Sequence, residues 1–122
     1  MKFRFILAAF ALLAGGVETG IAQTTTWTGG NGTWANSGNW SNGVPVAADT
    51  AIFDSSVTTI VDAAYTFTNL EFTGGVEVFN SSSGSLSASI GIFYTGGPSV
   101  ALNVPIVGTG NLWLNGGTGT LT

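Results

Sequence analysis

The sequence predicts an all-β protein whose short strands wind into a solenoid of stacked coils. Three observations carry that expectation. Apolar residues recur at every second position, as in Leu86, Ala88, Ile90, Ile92 and Tyr94, with small residues between them, and a period of two is the mark of a half-buried strand. No window of roughly 11 residues shows the i, i+3, i+4 spacing of an amphipathic helix. Gly-Gly breaks at Gly74-Gly75, Gly96-Gly97 and Gly116-Gly117 recur at intervals of about 20 residues, within the range of repeat architectures. An antiparallel β-sandwich is the alternative, because it too is built from short strands and frequent turns. Against it, the best runs lack the Asn-Gly or Asp-Gly dipeptides of tight hairpins between them.

Lys2 and Arg4 precede the apolar run Phe5 to Ala14, and Gly20-Ile21-Ala22 supplies a small-x-small pattern. That order marks residues 1–22 as a secretory signal peptide with cleavage ahead of Gln23. The run stops at Gly15-Gly16, short of the roughly 20 apolar residues that a membrane-spanning helix needs. Residues 23–54 form a segment rich in Trp, Gly and Asn, expected to cap the N-terminal end of the solenoid. Residues 55–122 are expected to supply the coils. Tyr65 and Phe67, Leu70 and Phe72, and Val76 and Val78 give short alternating runs, and the longer run from Leu86 follows. Val100, Leu102, Val104 and Ile106 repeat the pattern, and Leu112 and Leu114 restart it. Leu86, Ile90, Ile92, Val100, Leu102, Val104, Ile106, Leu112 and Leu114 are therefore expected to point inward. At this period the chain after the leader provides roughly five coils, above the three-repeat minimum for a continuous core.

Composition removes whole classes of function. Lys2 and Arg4 are the only basic residues, and the part after residue 22 keeps Asp49, Asp54, Asp62, Glu71 and Glu77, a formal charge of −5. Nucleic-acid binding draws its affinity from cations on phosphates, so no nucleic-acid partner is expected. With no His and no Cys, Ser–His and Cys–His nucleophilic catalysis lack a base or a thiol. Zinc lacks its usual ligands, and disulfides cannot staple the fold.

Two segments carry a resemblance. Thr26-Trp27-Thr28-Gly29-Gly30-Asn31-Gly32-Thr33-Trp34, then Gly38-Asn39-Trp40-Ser41-Asn42-Gly43-Val44-Pro45 and Ala48-Asp49-Thr50-Ala51-Ile52-Phe53-Asp54, resemble the opening of bacterial surface proteins with autotransporter-associated β-strand repeats. Ile106 to Leu114 and Gly117 to Thr122 are similar to the Gly-x-Gly-rich repeat itself. The resemblance implies an extracellular passenger with a right-handed parallel β-helix stem and no catalytic residues. The sequence stops inside a repeat, so the C-terminal repeats and anchor of such a protein are expected to be missing.

Trp27, Trp34 and Trp40 offer either a sugar-stacking platform or a cap over the first coil. Solenoids need caps and Trp brings large apolar area with one polar handle, so the cap is the first expectation and carbohydrate contact the second. Trp113 is out of register with Leu112 and Leu114 and is expected on the outer surface. Asp49, Asp54 and Asp62 lack the clustered pattern of a calcium loop and read as turn or solvated aspartates. No metal and no cofactor is expected. Asn31, Asn39 and Asn80 match the glycosylation sequon, which chance explains in a protein that looks bacterial.

The function expected is thus a non-catalytic structural stem, exported to the cell surface, contributing to adhesion and meeting an extracellular glycan or surface partner. A carbohydrate-binding module using Trp27, Trp34 and Trp40 is the alternative.

Overall fold

The computed structural model describes residues 21–95 and 99–115. The proposed signal peptide, apart from Ile21 and Ala22, and the repeat segment 116–122 lie outside the described residues. So do the Gly96-Gly97 break and the Leu114 side chain.

Among the described residues nine strands form: β1 (Thr24–Thr26), β2 (Gly32–Thr33), β3 (Thr50–Phe53), β4 (Val57–Val61), β5 (Ala64–Phe72), β6 (Val76–Ser81), β7 (Ser85–Thr95), β8 (Ser99–Asn103) and β9 (Asn111–Asn115). The described residues contain no α-helix, only a 3-10 turn at Ser37–Asn39. Odd strands make a five-stranded sheet in the order β1-β3-β5-β7-β9, and even strands a four-stranded sheet in the order β2-β4-β6-β8. Every ladder between these strands is parallel. The chain therefore visits the two sheets alternately and returns one rung further along each time, as stacked coils require. A sandwich of antiparallel hairpins would pair sequence neighbours, so that alternative is ruled out.

The long strands β5 and β7 turn a corner. Their first halves pair from Ala64↔Ser85 to Phe67↔Ala88, and their second halves from Asn69↔Gly91 to Phe72↔Tyr94. Between them Ser89 and Ile90 stand opposite Thr68 alone, a bulge that bends the strand and resets its faces. A parallel bridge between Leu86 and Ile106 continues the first-half pairing by another rung. Another corner sits at Gly75, whose φ of 88° belongs to the region favouring glycine, and a Cβ there would run into the Ser55–Ser56 backbone.

The core is a stack of inward rows. Phe53 lies opposite Phe72 and Phe72 opposite Tyr94. Ala51, Leu70 and Ile92 form a second row, and all six side chains are buried. Side-chain hydrogen bonds tie neighbouring coils at separations of 19 residues for Asn69 to Thr50, 21 for Ser83 to Asp62 and 23 for Thr95 to Phe72.

Leu86, Ile92, Val100 and Val104 are buried as expected, and Leu102 is half-buried. Two expectations need correction. Ile90 is 55% exposed because the bulge inserts an extra residue and turns it outward. Ile106 and Leu112 keep to the inward rows, opposite the buried Leu86 and Ile92, but are exposed, since among the described residues no strand pairs beyond β9. With Ala88, Ile92 and Leu102 they line a cavity of about 170 Å³ at that end. The run Val76, Val78 is also reversed, since Glu77 and Phe79 face inward while Val76 is exposed.

Candidate functional site

The three sequence-singled tryptophans come together in the first coil. Trp27 follows β1 and its backbone N–H donates to the Ile52 carbonyl at 2.9 Å. Trp34 follows β2 and donates likewise to Ile60 at 2.9 Å. The 3-10 turn is started by Asn36, whose side-chain oxygen accepts from the Gly38 N–H, and it delivers Trp40 back beside Trp27 through an antiparallel bridge. Local turn chemistry of Asn, Ser and Gly thus closes the loop that gathers the rings.

All three indoles are buried, with exposures of 1%, 0% and 5% for Trp27, Trp34 and Trp40. Trp34 is central: ring centroids lie 4.9 Å away in Trp40, 5.3 Å in Tyr65, 5.6 Å in Phe67 and 5.8 Å in Phe53. Trp27 stacks on Phe53 at 5.5 Å and meets Trp40 edge-on at 5.1 Å. The Trp27 Nε1 donates to the Gly30 carbonyl and the Trp40 Nε1 to the Trp34 carbonyl, at 3.1 and 2.9 Å. The Trp34 Nε1 is buried without a protein partner. As placed, none of these rings presents a face to solvent on which a pyranose would stack.

The aspartates are dispersed in role. Asp49 is buried and its carboxylate accepts from the backbone N–H groups of Gln23 and Val46, both at 2.9 Å, so it joins the start of the first coil to the turn before β3. Asp62 accepts from the Tyr65 hydroxyl at 2.7 Å. Burial, with that hydrogen bond and the Asp62 charge behind it, pushes the Tyr65 phenol up to about 12. Asp54 is exposed. Among the described residues no three His, Cys, Asp or Glu side chains gather as a metal site would require. The sequon asparagines have structural uses: the Asn31 side-chain oxygen accepts from the Thr58 N–H at 2.8 Å, and Asn80 accepts from Asn103 at 3.1 Å.

Glu77 is the residue that sequence reading passed over. It is fully buried, opposite Val57 on one neighbouring strand and Val100 on the other. Neither carboxyl oxygen has a hydrogen-bond partner. Desolvation raises its pKa to about 8; the pull of its own backbone amide on the charged form offsets part of this, and the nearby Asp54 charge adds to the rise, so the group is mostly neutral at pH 7. The available signal was Phe79: an alternating strand that buries this ring also buries the residue two positions before it.

Trp113 does lie outside, at 52% exposure. Its indole is stacked on Phe93 of the preceding rung, at 6.1 Å and only 4° from parallel. No helix among the described residues is long and apolar enough to cross a membrane.

The chain matches no protein-family model, no curated protein and no solved structure.

Proposed function

We propose that this chain forms an exported, non-catalytic surface stem, a right-handed parallel β-helix that contributes to adhesion or display. One observation carries the reading: every rung is templated in parallel on the rung before it. Such an architecture lengthens by about 4.8 Å per coil with no new design, which suits a spacer. The polar outer rungs of Asn, Thr and Ser, as in Asn80–Asn103 and Asn69–Thr50, support a solvated exterior. Burial of Trp27, Trp34 and Trp40 supports an end cap over a sugar platform on those rings. The composition supports a non-catalytic role, since neither His nor Cys is present.

The test is to express the chain with its leader in a diderm bacterium, carrying an epitope in the exposed turn at Ser41-Asn42. The expected result is a mature N-terminus at Gln23 by mass spectrometry on a chain outside the cytoplasm, its epitope reachable once the outer membrane alone is opened. An epitope reachable only after the inner membrane is lysed, on a chain that still begins at Met1, overturns the proposal.

A further inference from the structure

Four tryptophans are present, and the fold treats one of them differently. Three are at most 5% exposed, while Trp113, on the last described strand, is 52% exposed on the outer face of the five-stranded sheet. Its position is built. The indole lies over Gly91: a Cβ at Gly91 would come within 3.0 Å of Trp113 Cδ1 and 3.2 Å of its Nε1. The missing side chain therefore makes room for the ring. On the neighbouring rung Phe93 is nearly coplanar in orientation, 4° from parallel, so the two rings brace each other. The outer row they belong to runs through the register partners Ile52, Glu71, Phe93 and Trp113. Beside it runs the row Thr50, Asn69, Gly91 and Asn111, with Asn111 exposed.

We propose that this outer face is a shelf for a neutral polysaccharide, with Trp113 as the stacking ring, Phe93 as its support and Asn111 as a hydrogen-bonding flank. The apolar C–H face of a pyranose packs on a flat indole, and the hydroxyls at its rim need donors and acceptors such as an amide. Charge selects against anionic polymers: the chain after residue 22 has no cation, and Glu71 occupies the same row. A second copy fits poorly. Two rings fall far short of the roughly 800 Å² per partner of a standard interface. The shelf is separate from the Trp27, Trp34 and Trp40 cluster and does not depend on the stem reading.

The experiment is affinity electrophoresis of the whole mature chain in native gels containing dextran, a mixed-linkage β-glucan, galactomannan, arabinoxylan or polygalacturonate. Retardation by at least one of the four neutral polymers is expected. Trp113→Ala should weaken it by about tenfold or more, as removal of an aromatic anchor does, while Trp113→Tyr retains most of it. A second arm needs no variant. Limiting N-bromosuccinimide on the native protein should oxidise one indole, mapped by mass spectrometry to Trp113, and abolish retardation with the β-sheet circular dichroism unchanged. Retardation by polygalacturonate alone, none by any polymer, or retardation that survives Trp113 oxidation overturns the proposal. Concentration-dependent dimerisation lost in Trp113→Ala, without glycan binding, assigns the face to a second copy and also overturns it.

Discussion

Glu77 shows how one residue sets a pH dependence for the molecule. A carboxyl between Val57 and Val100 with no partner for either oxygen is tolerable when neutral, because an unpaired buried charge is far more costly than a buried acid. Its folded pKa of about 8 stands above the ordinary value of 4.5. The folded state thus holds the proton more tightly than the unfolded chain. Stability is fully present below pH 4.5, declines as pH rises, and finishes declining near pH 8. The loss across that window is on the order of a few kcal/mol. Thermal unfolding at pH 4.5, 6, 7 and 8.5 should show the fall, and Glu77→Gln should flatten it. An unchanged slope in the glutamine variant would place the effect elsewhere.

At the scale of the element, the first coil holds three of the four tryptophans and is the least regular, with a 3-10 turn between short strands. β1 and β2 are only three and two residues long, too short to hold a coil through backbone pairing alone. Ring packing around Trp34 supplies what the ladders do not, with Phe53, Phe67 and Tyr65 arriving from later coils. Trp34→Ala should therefore cost roughly 3–5 kcal/mol, as large aromatic truncations in a packed core do. Denaturant unfolding of the variant checks this, and a midpoint equal to that of the parent would show that the rings are not the first coil's support. The coil is also pinned by Asn31 to Thr58 and by Asp49 to Gln23, polar links that leave its register fixed.

For the whole molecule, stability is close to one-dimensional, since each strand pairs only with the rung before and after it. Inner rungs have partners on both edges; β1 and, among the described residues, β9 have one. Opening free energies follow such coupling, with terminal units exchanging first. Amide hydrogen exchange should therefore be slowest in β3, β5 and β7 and faster in β1 and β9. Uniform protection across all five strands would indicate a single cooperative block instead. The pairing is also non-local throughout, which favours slow folding.

By itself the sequence determined the secondary-structure class and much of the core. A period of two at Leu86–Tyr94, the Gly74-Gly75 pair and the absence of helical spacing specify strands and their two faces. The gathering of Trp27, Trp34 and Trp40 in a short Gly- and Asn-rich stretch already pointed to a ring cluster. The sequence did not decide which face goes inside. Val76 and Val78 compete with Glu77 and Phe79 on one strand, and Phe79 wins because Phe53, Phe72 and Trp34 from other coils surround its ring. Ile90 keeps the alternation in sequence but loses it in space, because the bulge opposite Thr68 belongs to a pair of strands and not to either one. Parallel rather than antiparallel pairing was likewise a matter of partners far apart in the chain. Local pattern fixes periodicity; the neighbouring coil fixes phase, because burial is decided by what lies across the ladder.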